Sequence, residues 1–534
     1  MAAVILTPVA TVLYFVFSPS EGNFQHLVNT VLSTYVTNSL LLMAGVAIGT
    51  SLLGVSTAWL ATLFDFPGRR VFEWAQLLPL AMPAYIIAYS YTGLLDFAGP
   101  VQTGLRESMQ WSRNDYWFPP VRSLGGAVTM LSLVLYPYVF LLARAAFINQ
   151  SVCMLEASRT LGCAGWNAFF RVALPLARPA IVAGLALVMM ETLADFGTVD
   201  YFGVQTFTTG IFRTWFGLYD TAGAARLAGV LLLFVLTLLG LERASRRQAK
   251  YHYTTERVMP LKAVRLNGWR AYASTLICLL PILFGFVIPA LHLASMAFNN
   301  WRKSFDSAFL ELMGNSVMLA FIAAVVILVP ALLLALAQRN SRSIVIQTLI
   351  RLCTSGYAIP GTVVAIGVLI PLGALDNAVD LWAESTFGVR TGLLLSGSLF
   401  ALIFAYSVRF LTAALNTVES GLQKIKPSVD EAARTLGCSE GQVLRRIYLP
   451  VVRGSVLTAV LIVFVDVLKE LPATLVLRPF NFNTLAVRTY ELASDERLAE
   501  AALPALTIVF CGLIPVVILS QAIRRSRPGT NSTA

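Results

Sequence analysis

Charge is scarce in this sequence: 13% of its 534 residues are Asp, Glu, Lys or Arg, against about 25% in ordinary soluble domains. Histidine is scarcer still, with three residues (His26, His252 and His292) scattered along the chain. The six cysteines (Cys153, Cys163, Cys278, Cys353, Cys438, Cys511) fall in apolar runs or in basic segments. None lies where an outer loop is expected, so disulfides are not expected. No Cys/His spacing fits a zinc or redox metal. No G-x-x-x-x-G-K-[ST] phosphate loop occurs. These absences argue against a disulfide scaffold, a metalloenzyme and a chain that hydrolyses nucleotide by itself.

What is present is apolar sequence. Hydrophobic residues make up 57% of the chain, and the mean hydropathy is +0.73. That balance belongs to an integral membrane protein. A span needs about 20 apolar residues, and twelve candidates occur, near 2–18, 37–61, 73–97, 124–143, 179–198, 225–242, 272–295, 316–338, 349–374, 392–413, 454–477 and 500–523. The first has no basic flank ahead of it and no small-residue cleavage site. It is therefore expected to be retained rather than removed as a signal peptide, with a short missing tail ahead of it left open. The expected fold is all-α and polytopic, with about 12 transmembrane helices.

With the N-terminus on the cytoplasmic side, the inner segments are roughly 62–72, 144–178, 243–271, 339–351, 409–453 and 524–534, and they hold 27 of the 39 lysines and arginines. That asymmetry is what the positive-inside rule requires. Both termini are then cytoplasmic. Topology also accounts for the net charge of +11, so a nucleic-acid partner is not expected.

Two polar segments repeat each other. "LEASRTLGCAGWNAFFRVALP" (155–175) returns as "DEAARTLGCSEGQVLRRIYLP" (430–450) at a constant offset of 275. The offset pairs Glu156 with Glu431, Gly162 with Gly437, Pro175 with Pro450 and Phe207 with Phe482. It also pairs Arg213-Thr214-Trp215 with Arg488-Thr489-Tyr490. An offset of 277 aligns Asn38-Ser39 with Asn315-Ser316 and Met82-Pro83 with Ile359-Pro360. The chain is an internal duplication, divided as 1–242, a basic linker 243–270 and 271–534. An even number of spans separates the two motifs, so the repeats are parallel. The linker reads as a solvated connection carrying topogenic charge.

Within the second copy, Ala432, Ala433, Leu436, Val443, Leu444 and Ile447 place apolar groups on one side of two short helices. Ser428 and Glu431 form a capping-box pattern. Gly437 falls where the first helix ends and suits a left-handed turn. Leu449-Pro450 is expected to stop the second helix before the next span. One such copy is as well explained by an amphipathic interfacial loop; two matched copies point to a docking element.

Residues 431–450 match, position for position, the motif Glu-Ala-Ala, three residues, Gly, nine residues, Ile, one residue, Leu-Pro. This resembles the signature loop of permease subunits of binding-protein-dependent ABC importers. The first copy departs from it at Ser158 and Val172. "ETLADFGTVDYFGVQTFTTGIFRTW" (191–215) and "DVLKELPATLVLRPFNFNTLAVRTY" (466–490) look like the matching regions of ferric iron permeases. Fused thiamine and 2-aminoethylphosphonate permeases are close relatives. The resemblance implies a fused permease of the bacterial inner membrane that binds no cofactor. ATP would be used by two copies of a cytoplasmic ABC ATPase, and a periplasmic substrate-binding protein would deliver the substrate. It implies ATPase contacts through coupling loops 144–178 and 419–453, at Glu156, Ala157, Gly162, Pro175, Glu431, Ala432, Gly437 and Pro450.

Ionisable groups at membrane depth are costly and read as functional by default. Glu191 and Asp195 lie four apart in the fifth span. The repeat puts Asp466 and Glu470 at the equivalent places, with Lys469 between them. These five residues form a transient cation route or hold the halves together; no stable metal site is implied. Lys469 also keeps an anionic substrate open. Just outside, Phe207, Arg213, Phe482 and Arg488 form an outer gate, a docking surface for the binding protein, or interfacial helices anchored by aromatics. A secondary transporter would fit the hydropathy but gives no reason for matched coupling loops. A membrane enzyme finds no catalytic motif.

Overall fold

The computed structural model describes residues 2–17, 23–149, 166–247, 263–341, 343–423 and 425–525. Helices lie over each of the twelve expected apolar runs, and they are labelled α1–α12 here. Ten are long and apolar enough to cross a membrane among the described residues: α2 (Leu32–Leu63), α4 (Leu124–Ile148), α5 (Phe169–Ala194), α6 (Thr221–Glu242), α7 (Trp269–Ser304), α8 (Ser307–Asn340), α9 (Gly361–Phe387), α10 (Leu399–Leu422), α11 (Gly441–Leu468) and α12 (Leu498–Ile518). An eleventh, α3, is the pair Arg69–Ala81 and Ala84–Met109, bent by 90°. The first expected span is the 16-residue helix α1 (Ala2–Phe17). At 1.5 Å per residue it covers about 24 Å, short of a hydrocarbon core of about 30 Å.

Proline sets the bend in α3. Pro83 has no N–H to give the preceding turn and stands just outside Ala84–Leu95 in an extended conformation, φ −57° and ψ 141°. Pro360, its partner in the repeat, enters α9 with φ −55° and ψ 142°. The duplication is thus visible in backbone angles as well as in sequence.

The chain folds into two compact units. One comprises 1–24, 211–232 and 305–491. Its core is the packing of α8, α10 and α11, with α1 laid against α9. Gly367 permits that approach, since a Cβ there would stand 2.3 Å from the Pro8 carbonyl oxygen. The other unit comprises 25–210, 233–304 and 492–534. In it α2 and α4 pack along a stripe of glycines. A Cβ on Gly45, Gly49 or Gly54 would meet Val128, Ser132 or Val139 at under 3 Å, the close approach that small residues give membrane helices. The repeats are units of sequence; the compact units are assembled from parts of both.

The end of the linker is built into the fold. Val264–Arg265 pairs in parallel with Phe64–Asp65, and Ala271, Cys278 and Ile282 pack with Phe66 and Phe72. Backbone pairing tethers the last residues of 243–270 and Leu266 packs on this cluster, while most of their side chains stay exposed to solvent. Residues 248–262 lie outside the described residues.

Candidate functional site

At the loop end of α8, Arg339 organises the second polar segment. Its guanidinium donates to the carbonyls of Leu422 (2.7 Å) and Ile425 (3.0 Å), at and just beyond the end of α10. It also donates to Asp430 Oδ2 at 2.6 Å. Tyr448 donates to the other oxygen of Asp430 at 3.0 Å, and the guanidinium lies 5.3 Å from the Tyr448 ring centroid. These contacts fix the short helix Pro427–Thr435 against the membrane helices.

That helix ends as its glycine predicts. Gly437 has φ +75°, and the Cys438 amide closes the turn on the Ala433 carbonyl at 3.0 Å, a six-to-one bond of the Schellman kind. Ala433 is buried, whereas Glu431, Ala432 and Leu436 are exposed. Leu436 is 82% exposed. Val429, Ala432 and Leu436 therefore make an uncovered apolar stripe at helical spacing. The expectation of one shared apolar face is corrected, since Ala432 and Ala433 lie about 100° apart on a helix and serve opposite sides.

Two further expectations change. Ser428 lies inside the helix, whose first residue is Pro427. The capping box is instead Ser439 with Gln442, whose side chain accepts from the Ser439 amide at 2.9 Å. Pro450 does not stop the helix. Leu444–Tyr448 widens into a π-turn, with the Leu449 amide bonded to the Leu444 carbonyl, and the chain runs on into the span. Phe169–Ala173 does the same before Pro175, with Leu174 bonded to Phe169. A proline has no N–H and crowds the carbonyl four residues back, and the wider turn removes both conflicts. Glu156, Ala157 and Gly162 lie outside the described residues.

Two of the span carboxylates, Asp195 and Glu470, cap helices. α5 ends at Ala194, and Asp195 accepts from the Thr198 hydroxyl (3.0 Å) and the Val199 amide (3.1 Å) of the short helix Gly197–Tyr201. In the other half Glu470 accepts from the Ala473 amide (2.9 Å), the Thr474 amide (3.0 Å) and the Thr474 hydroxyl (2.7 Å) of Pro472–Leu477. The offset of 275 links Asp195 to Glu470 and Val199 to Thr474, so the two breaks use one device.

The second-half carboxylates have cation partners. Arg409 Nη1 lies 2.8 Å from Glu470 Oε1, with both side chains largely buried. Arg409 is therefore not an inner-loop charge; it stands within α10. Gly361, first residue of α9, makes room for the pair. A Cβ there would lie 2.7 Å from Glu470 Oε1 and closer still to the guanidinium. Lys469 pairs with Asp466 at 2.8 Å. Both second-half carboxylates are thus matched by cations of their own half. Glu191 and Asp195 belong to the other compact unit.

Of the outer residues, Phe207 is buried against Phe234, with ring centroids 5.3 Å apart. Arg488 and Arg478 both reach Glu491, at 3.5 and 2.9 Å. Phe482 is half-buried and Arg213 exposed. Residues that sequence reasoning missed are Arg339, Asp430, Tyr448 and Arg409. Arg339 and Arg409 had been counted only as topogenic charge.

The chain matches a family model described as "Binding-protein-dependent transport system inner membrane component" twice, over residues 51–248 and 331–529. It is 26% identical over 526 residues to a Fe(3+)-transport system permease protein of Haemophilus influenzae, covering 95% of this chain and 94% of that one. A molybdenum transport system permease protein of the same organism is 29% identical over 205 residues, 37% of this chain and 86% of the relative. A probable sulfate transport system permease protein of Chlorokybus atmophyticus is 27% identical over 217 residues, 39% of this chain and 71% of the relative.

Proposed function

The chain belongs to the family of inner membrane components of binding-protein-dependent transport systems, whose domain it carries twice, and from that premise we propose that it moves ferric iron into the cytoplasm. A periplasmic binding protein delivers the ion, and a separate ATPase drives the cycle. The observation that carries the substrate is the extent of similarity to the Fe(3+)-transport permease, which spans both repeats and nearly the whole of both chains.

Coupling to the ATPase rests on the segment Pro427–Tyr448. Its helix is anchored from behind by Arg339 and presents Val429, Ala432 and Leu436 outward. A rigidly held helix with an uncovered apolar stripe suits a groove on another protein. With a second such loop in the first repeat, each half engages one ATPase subunit, which gives two copies. ATP binding draws the ATPase subunits together and carries the loops with them, and the loaded binding protein biases the cycle by preferring one state. The motif-bearing loops and both termini lie on the cytoplasmic side.

A second reading, an oxyanion substrate, is favoured by the molybdenum and sulfate relatives, each similar to well under half of this chain. The deciding experiment is uptake in cells lacking this chain, with labelled ferric iron, molybdate, sulfate, thiamine and 2-aminoethylphosphonate offered separately. Selective loss of iron uptake, restored by the intact chain, supports the proposal. Normal iron uptake with loss of another substrate moves the assignment to that substrate.

A further inference from the structure

Where the loop ends of α8 and α10 meet the helix Ile344–Cys353, the second half leaves a cavity of about 300 Å³, lined by Gln338, Gln347, Ile350, Arg351 and Glu419. That is the small end of the range that ligand pockets occupy. Glu419 is half-buried and is held in place by two amides. Gln338 Nε2 donates to its Oε1 at 3.0 Å and Gln423 Nε2 at 3.2 Å. Its Oε2 accepts no hydrogen bond among the described residues. Arg351 stands in the last turn of its helix, and its guanidinium makes neither an ion pair nor a hydrogen bond among the described residues. The Gln347 side chain and the Gln338 side-chain carbonyl are likewise unengaged there.

The first half fills the same place from its own side chains. The offsets of the repeat set Ala61, Arg70, Glu73, Trp74 and Arg144 against the five lining residues. Glu73 lies between Arg69 at 3.3 Å and Arg144 at 3.7 Å, with all three side chains largely buried. In the second half an isoleucine takes the place of that acid and a glutamate the place of Arg144. The charges left around the cavity are therefore of both signs and are not paired with each other.

Topogenic charge accounts for Arg351 taken alone, but not for a half-buried carboxylate and two amides lining the same space. A cation alone would leave Arg351 unmatched, and an anion alone would leave Glu419. A ligand carrying both signs satisfies the whole set. An ammonium group offers three donors, enough for Glu419 Oε2 and the Gln338 carbonyl, while an acid group accepts from Arg351 and Gln347. Such charge-assisted hydrogen bonds are the strong ones. Ile350 supplies an apolar wall for the carbon between them. The ligand comes from solution rather than from lipid. Val345 and Leu349 are the exposed apolar residues of the helix, at 66% and 40%, and they stand about 200° round from Gln347 and Arg351.

We propose that this cavity binds a free amino acid from the cytoplasm and that its occupancy slows the transport cycle. Gln338 adjoins Arg339, and Glu419 stands three residues before Leu422, whose carbonyl Arg339 holds. A ligand bridging α8, α10 and the helix Ile344–Cys353 thus favours the one arrangement it fits, beside the joint that fixes the coupling segment. The regulatory half of the proposal rests on the coupling reading above.

The test uses the complete transporter, with its ATPase and loaded binding protein, in phosphatidylcholine discs. Glycine, L-alanine, L-serine and L-glutamine are offered separately, with ethylamine and acetate as single-charge controls. At least one amino acid should raise the melting temperature in step with its concentration and slow the stimulated ATP hydrolysis, while neither control does so. Glu419→Gln keeps the oxygen that Gln338 and Gln423 bond, and Arg351→Gln changes an exposed side chain. Each should keep the basal hydrolysis rate and raise the half-saturating concentration about tenfold or more, the scale of a lost bond to a charged group. No stabilisation by any of the four, or stabilisation unchanged in both variants, would overturn the site. Equal stabilisation by ethylamine, or stabilisation only in discs containing phosphatidylethanolamine, would overturn the free amino acid as its ligand. Binding without slower hydrolysis would overturn the regulatory half. Undiminished stimulation of hydrolysis in Arg339→Met would instead remove the coupling reading and leave the binding site standing.

Discussion

The Arg339 guanidinium lies 2.6 Å from the Asp430 carboxylate and so fastens the end of α8 to the helix that carries the repeated motif. Arg339 also holds the carbonyls that end α10, which makes it a joint between two membrane helices and the loop. Arg339→Met should leave a chain that inserts and folds while transport falls. Asp430→Asn should do the same more mildly, because Tyr448 still holds the side chain. In a double-mutant cycle the pair should couple by about 1–2 kcal/mol, read from thermal unfolding in detergent. Additive effects on stability, or intact stimulation of ATPase activity in Arg339→Met, would remove the joint from the coupling path.

Gly437 meets no atom that a Cβ would strike, so only its backbone is at issue. At φ +75° a β-branched residue is strained by about 1–2 kcal/mol, whereas asparagine visits this region more readily. Gly437→Val should therefore uncouple ATP hydrolysis from uptake, and Gly437→Asn should restore much of it. The comparison is made on one preparation by measuring hydrolysis and uptake together. Equal coupling in both variants would show that the left-handed turn is dispensable.

A buried ion pair contributes less by forming than it costs to break. Glu470→Gln leaves Arg409 buried without its counter-charge, and losses of about 3–5 kcal/mol follow when one buried partner is removed. Arg409→Met with Glu470→Gln should recover part of that loss. Gly361→Ala should behave like the single change, because its Cβ displaces the guanidinium from the carboxylate. Melting temperatures of the four chains would settle the order. A double variant no more stable than Glu470→Gln would mean that the pair is not the source of the loss.

The membrane architecture was legible because apolar runs at span length admit few alternatives, and the duplication was legible because residues recur at fixed offsets. Gly437 was legible from its place at a helix end. The sequence offers two Ser-x-x-(Glu/Gln) patterns within fifteen residues, Ser428/Glu431 and Ser439/Gln442, and local pattern alone cannot choose between them. Pro427 at the first helical position and the anchor on Asp430 decide it. Arg409 was misplaced for a related reason: a lone arginine near a span end looks topogenic until its distant partner, Glu470, is known. Pro450 was read as a stop because the π-turn that absorbs it has no sequence signature of its own.

That π-turn gives the last prediction. In both halves the same place widens, Leu174 bonding to Phe169 and Leu449 to Leu444, one residue before a proline. An extra residue in a helical turn rotates everything beyond it by about 100°. The proline therefore sets the direction in which each loop faces relative to its span. Pro175→Ala and Pro450→Ala restore the missing N–H and remove the crowding, so the helix can return to regular pitch. Proline in a helix interior costs about 3 kcal/mol relative to alanine, so the double variant should melt no lower than the unaltered chain. Its uptake should nevertheless fall, since both loops would be turned away from the ATPase. A stable, poorly coupled transporter is an outcome that loss of packing cannot produce. A stable transporter with normal uptake would mean that the loops re-aim themselves and the π-turns only accommodate the prolines.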